Sequence, residues 1–156
     1  MSYPSQTESS ILLKELGEDL GLPLRFDEHN QCLLILDDRL MISIHTVEDS
    51  WVLYGMLGEC YQEPDRAFFQ YLFSLNQILA EQGHGALAFD KHNSAILYIQ
   101  HIPLRNADRV TLCQALEVFT DWLEILLKRL TESGIEIERI SNKDVQSESP
   151  SSRKAS

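Results

Sequence analysis

Three cysteines, Cys32, Cys60 and Cys113, and five histidines, His29, His45, His84, His92 and His101, are the side chains here best suited to catalysis or metal binding. The cysteines are widely spaced and odd in number. They form neither a disulfide framework nor a CxxC metal site, and reduced thiols are the simplest reading. The histidines make no HxxxH or HExxH motif and no cluster with cysteine. His84, between Gly83 and Gly85, is the most site-like, because glycines let a backbone approach a ligand. No nucleophile or carboxylate is placed beside it by the sequence, and a helix end leading into a strand explains it better. Cys60 lacks the basic neighbours that lower a thiol pKa. Asp37-Asp38 and Glu48-Asp49 have the form of paired carboxylates, but both lie at expected turns, where Asp is favoured for backbone reasons. GxSxG, phosphate-loop and GxGxxG motifs are absent. The expectation is a protein with no catalytic residues, no metal and no cofactor.

The elements that would carry any other function are easier to read. The chain has 156 residues, 44% hydrophobic, with 24 acidic against 13 basic side chains and a net charge of −11. That is one domain's worth of chain with enough apolar content for one core. A pI near 4.8 argues against a nucleic-acid binder or docking on an anionic membrane surface. No apolar run approaches the ~20 residues of a spanning helix. The polar stretch Met1–Ser10 does not read as a secretory signal.

The first helix is expected from about Ser5 to Leu20. Its leucines share one stripe at ~100° per residue, with Gly21 as cap and Pro23 as stop. Four extended segments follow: Leu24–Phe26, Gln31–Leu36, Leu40–Thr46 and Trp51–Leu57. Short turn-rich gaps make them an antiparallel meander. Leu40, Ile42 and Ile44 share one face, and Gly55 marks a bulge or a close approach. A second helix runs from Pro64 to Glu81. A hairpin follows, Ala86–Asp90 and Ser94–Ile102, turning at Lys91-His92-Asn93. Ile96, Tyr98 and Ile102 point one way and Leu97 and Ile99 the other, so the strand should be covered on both sides. A third helix reaches Ser133 with a leucine-rich stripe that includes Trp122, and Gly134 caps it. Ile135, Ile137 and Ile140 could dock back on the body. Residues 141–156 are polar and are expected to be a disordered tail of charge +1, which leaves −12 on a working domain of residues 1–140. The order α-β-β-β-β-α-β-β-α gives an α+β fold, a twisted antiparallel sheet flanked by three helices.

The second helix has an unusual distribution. At ~100° per residue, Phe68, Tyr71, Leu72, Leu75, Ile78 and Leu79 form one apolar patch, and Phe69, Phe73 and Ala80 form another. One patch is expected to meet the chain's own sheet. A second copy is the simplest cover for the other.

From Leu72 to Leu104 the sequence is LFSLNQILAEQGHGALAFDKHNSAILYIQHIPL. A Leu-Asn helix, a glycine break, a strand, a turn, an aliphatic strand and a closing Pro-Leu follow in order. This resembles the CesT (Tir chaperone) family of type III secretion chaperones. The leucine-rich first helix to Gly21, Phe26, the Cys32–Leu36 strand and Leu53-Tyr54-Gly55 agree with it. The resemblance spans about residues 8–133 and rests on apolar positions.

The family resemblance implies a homodimeric chaperone of the bacterial cytoplasm without ATPase activity. Such a protein holds the N-terminal region of a secreted effector soluble and competent for export. The segment is expected to wrap around the dimer in extended form, pairing at a sheet edge and filling apolar pockets. By position, Leu13, Leu16, Leu20, Phe26, Leu34 and Leu36 are expected to face the effector. Phe69, Phe73, Leu87 and Phe89 are expected at the dimer interface, with Asn76 as a polar contact there. A secretion ATPase is a further candidate partner, which the sequence leaves open. Two alternatives remain: a small α+β ligand-binding domain or enzyme using Cys60 or His84, and a generic dimeric adaptor.

Overall fold

A computed structural model describes residues 6–133 together with 137 and 138. The 141–156 tail, the Gly134 cap, and Ile135 and Ile140 lie outside the described residues. Helix α1 spans Gln6–Leu20. Three strands follow, β1 Gln31–Leu36, β2 Leu40–Val47 and β3 Ser50–Cys60. Then come α2 Arg66–Gln82, β4 Ala86–Asp90, β5 Ala95–Pro103, α3 Arg109–Glu132 and the two-residue β6 Ile137–Glu138. The sheet is antiparallel in the order β1-β2-β3-β5-β4, with β6 pairing to the end of β3.

Local chemistry sets the element ends. Helix α1 closes on Gly21 at φ +72°, with the Leu22 N–H donating to Gly17 O at 2.8 Å. Helix α2 closes in the same way on Gly83, with the His84 N–H reaching Leu79 O at 3.0 Å. Both are the six-to-one closures that left-handed glycine permits. Asp65 is the N-cap of α2, its side chain accepting the Phe68 N–H at 2.9 Å. Asp108 and Thr111 form a reciprocal capping box on α3. Asp37 and Asp38 both have positive φ inside the three-residue loop that joins β1 to β2, and the Arg39 N–H closes the turn on Leu36 O at 3.1 Å.

Two expectations need correction. Leu24–Phe26 is not a strand, because it has no strand to pair with. Leu24 is buried, and Phe26 packs edge-on against Trp51 with ring centroids 6.1 Å apart. The meander therefore has three strands. The second correction concerns the cover over β5. The inward side chains Leu34, Ile42, Ile44, Leu53, Ile96, Tyr98 and Leu87 share one core with residues of all three helices. On the other face Leu97 and Ile99 are only half-buried. Among the described residues the helices form one layer, on one side of the sheet.

Gly55 is a close approach. A Cβ there would stand 2.7 Å from Leu123 Cδ1, while the bulge lies just beyond, between Met56 and Gly58. The α3 backbone therefore sits against a notch in β3. Gly55→Val should lower stability by about 1–3 kcal/mol through overpacking, read as a drop in the chemical-denaturation midpoint. An unchanged midpoint would mean that α3 does not seat there.

Among the described residues every buried side-chain nitrogen and oxygen has a hydrogen-bond partner. Trp51 Nε1 donates to Ser9 Oγ at 2.9 Å, and Ser9 Oγ lies 2.9 Å from Thr46 Oγ1, which ties α1 to β2 and β3. Tyr98 stacks on Phe119 at 4.6 Å and donates its hydroxyl to His84 O at 2.5 Å. Burial pushes the Tyr98 phenol up to about 12. A phenol that ionises near 10 when unfolded then favours the folded state only while protonated. Its contribution is full below pH 10 and is lost between pH 10 and about 12. Tyr98→Phe should remove that alkaline slope from a stability–pH profile, and a slope unchanged in the variant would assign it elsewhere.

Candidate functional site

The residues that could do chemistry stay apart. Among the described residues no three His, Cys, Asp or Glu side chains could hold a metal. Burial pushes the thiols of Cys32 and Cys60 up, away from the reactive thiolate. His84 leans on the Trp122 ring at 5.4 Å, beside the α2 cap. Asp37 and Asp38 make the β1–β2 turn.

What the fold does present is two apolar surfaces and a free strand edge. The first surface is the sheet face opposite the helices. The register sets Leu33, Ser43, Tyr54 and Ile99 in one row and Ile35, Met41, Met56 and Leu97 in the next. A third row carries Gln31, His45, Val52 and His101. Leu33 is 52% exposed, and Tyr54, Met56, Leu97 and Ile99 are half-buried. His45 packs on Tyr54 at 4.4 Å, and burial holds its imidazole below the usual histidine range. Two adjacent apolar rows with no helix over them are what an extended partner could cover.

Among the described residues β1 pairs only with β2, which leaves it as a free edge. The Thr46 N–H donates to Asn30 O at 3.0 Å, which fixes the ladder's phase. Alternation then turns the N–H and C=O groups of Leu33 and Ile35 outward, away from β2. The opposite edge is treated differently. Asn76 of α2 accepts the Leu87 N–H at 2.6 Å and donates to Leu87 O at 3.2 Å. This amide thus occupies the outward groups of β4 at that residue, a known way to blunt a sheet edge.

The second surface lies beside that clamp. Phe73 is 71% exposed. It borders a recess of about 80 Å³ lined by Phe69, Leu72, Asn76, Leu87, Ala88 and Phe89. Phe69 meets Phe89 edge-on at 5.4 Å, which holds the recess open next to the exposed ring.

The expected site residues divide accordingly. Leu13, Leu16 and Leu34 are almost fully buried in the core of the single chain. They were expected to face a partner, but they fill the space between α1 and the sheet. Leu20, Phe26 and Leu36 are half-buried at the rim of α1 and β1. Phe69, Phe73 and Phe89 come together on one face, and Leu87 is buried beneath it. Asn76, expected to reach across a dimer, is bonded within its own chain. Asn76→Leu should cost about 1–3 kcal/mol, because it leaves the backbone groups of the buried Leu87 unpaired. It should also raise the exchange rate of the Leu87 amide; a protected amide in the variant would contradict the clamp.

The outer-face residues Leu33, Ile35, Tyr54 and Met56 were not singled out by sequence reasoning. The only signal was that both faces of the strands are apolar.

The Tir chaperone protein (CesT) family model matches residues 11–127. A Tir chaperone of Escherichia coli O157:H7 is 26% identical over 134 residues, covering 85% of each chain. Among solved structures, a chain of the HopA1–SchA chaperone–effector complex aligns with TM-score 0.63 and 21% identity, over 74% of this chain and 90% of that one. A chain of the ExsC–ExsE complex aligns with TM-score 0.67 and 18% identity, over 78% and 92%. These structures share the fold of three helices on an antiparallel sheet.

Proposed function

The chain belongs to the Tir chaperone protein (CesT) family, the type III secretion chaperones, and from that premise we propose how it holds its client. The client is the N-terminal segment of a secreted effector, bound in extended form along the edge of β1. The observation that carries this reading is the free, outward-facing backbone of Leu33 and Ile35 beside two uncovered apolar rows. A strand added there alternates its side chains between two surfaces. One set lies on the outer face against Leu33, Ile35 and Tyr54. The other meets the α1 rim at Leu20, Phe26 and Leu36. Main-chain pairing supplies affinity with little dependence on client sequence, and the two apolar surfaces supply selectivity.

Holding an effector unfolded needs no bond to be made or broken, and a non-catalytic role fits a protein whose thiols are pushed away from reactivity. The working unit in this proposal is a homodimer. Phe73 of each copy enters the recess beside Phe69 and Phe89 of the other, so the same patch serves both copies. Because Asn76 occupies the Leu87 edge groups, the copies join through side chains and their sheets do not fuse at that residue. No helix among the described residues is long and apolar enough to cross a membrane, and residence in the bacterial cytoplasm, where effectors are made, is part of the proposal. Delivery of the loaded dimer to a secretion ATPase is a further step the family suggests.

Co-expression with effectors encoded nearby tests the reading. One effector should co-purify in stoichiometric amount, and limited proteolysis should leave a protected N-terminal segment on the chaperone. Recovery of a folded effector domain with its N-terminus digested would contradict it.

A further inference from the structure

The edge of β1 is not open along its whole length. Asp27, in the turn ahead of β1, donates its backbone N–H to Gln31 O at 2.8 Å. Its Oδ1 accepts the Gln31 N–H at 3.0 Å and the His29 N–H at 2.8 Å. Gln31 is the first residue of β1 and in phase with Leu33 and Ile35, so its groups point away from β2. Asp27 thus occupies the outward groups of Gln31 as Asn76 occupies those of Leu87. The N–H groups of Gln31 and His29 hold its carboxyl below the usual carboxylate range, which keeps it an acceptor. Within β1, outward pairing is left to Leu33 and Ile35.

A strand paired there and running past Leu33 must leave the sheet at Gln31. An open hollow of about 700 Å³ lies close by, lined by Lys14, Gly17, Leu22, Pro23, Leu24 and Arg25. Arg25 is two residues before Asp27, within ~7 Å of extended chain. Gly17 brings the two walls together, since a Cβ there would stand 2.4 Å from Leu22 O. Lys14 and Arg25 are exposed and enter no ion pair among the described residues. The acids of α1 are engaged elsewhere. Asp19 and Glu18, the latter also at the hollow, reach Arg109 at 2.8 and 3.6 Å, and Glu15 acts on the same guanidinium. In a chain of charge −11, the hollow therefore offers two unpaired cations over an apolar floor. We propose that Asp27 ends the client strand beside Leu33, and that the client's next residues turn into this hollow with an aspartate or glutamate set against Lys14 and Arg25. The inference rests on the client lying along β1. Main-chain pairing is indifferent to side chains, so a carboxylate just beyond the stop fixes the register and selects the client.

The test uses the full chain and the N-terminal segment of its co-purified effector, read by hydrogen exchange and calorimetric titration. The Gln31 amide should be slow in the free chaperone and unchanged on binding, while the Leu33 and Ile35 amides slow. Asp27→Ala should make the free Gln31 amide fast and let the bound segment slow it. Asp27→Asn, which keeps the acceptor oxygen, should behave as the native chain. Lys14→Glu combined with Arg25→Glu should weaken the segment about tenfold at low salt, and far less at about 1 M salt. A segment with every carboxylate changed to its amide should bind the native and charge-reversed chains alike. Equal affinity of the unmodified segment for both chains at low salt, or a Gln31 amide that slows on binding to the native chain, would overturn the inference and leave edge pairing intact. Leu33 and Ile35 amides that do not slow would overturn the edge reading and this inference with it.

Discussion

Phe73→Glu is expected to turn the proposed dimer into a soluble monomer, with little change in the fold of each copy. Phe73 is 71% exposed in the single chain, so the carboxylate costs nothing there. In the dimer it would enter an apolar recess of about 80 Å³ with no cation among its lining residues. Burying an uncompensated carboxylate costs several kcal/mol, and twofold symmetry applies that cost twice. Dimer dissociation should therefore tighten or loosen by orders of magnitude with this one side chain: at least ~10³-fold weaker in the variant. Light scattering across a dilution series reads the change directly, and circular dichroism checks that the helices survive. A variant that stays dimeric at low micromolar concentration would move the interface away from α2 and β4.

The second large effect concerns the client edge. Leu33→Asp and Leu33→Pro should each weaken effector binding about tenfold or more, for different reasons. The aspartate removes a leucine that the client would bury on the outer face, worth up to roughly 1.5–3 kcal/mol. The proline leaves a side chain of similar character but deletes an outward N–H that a strand added to β1 would pair with. Because that N–H points away from β2, its loss takes no ladder bond from the chaperone itself. Calorimetric titration with the effector segment separates the two. A loss in Leu33→Asp with none in Leu33→Pro would mean that the client lies on the face without joining the sheet.

The sequence made the elements legible where local rules govern them. Gly21 and Gly83 end helices because left-handed backbone is cheapest at glycine, and Asp37-Asp38 turns a hairpin for related reasons. The two patches of α2 were also legible, since polar residues separate them, and the structure leaves one of them exposed. Face assignment was less legible. Leu13, Leu16 and Leu34 are chemically the same as surface leucines, and only the position of α1 over β1 and β2 makes them core. Strands apolar on both faces give no sign of which face the helices choose. Asn76 reads as an ordinary helix-face amide, because its partner is the backbone of a strand 11 residues away.

Hydrogen exchange on the chaperone, free and bound to the N-terminal segment of its co-purified effector, tests the central claim most directly. Strand addition at β1 predicts slowed exchange at the Leu33 and Ile35 amides on binding, with the Leu87 amide, already held by Asn76, unchanged. A bound complex in which the Leu33 and Ile35 amides exchange as fast as in the free protein would contradict it.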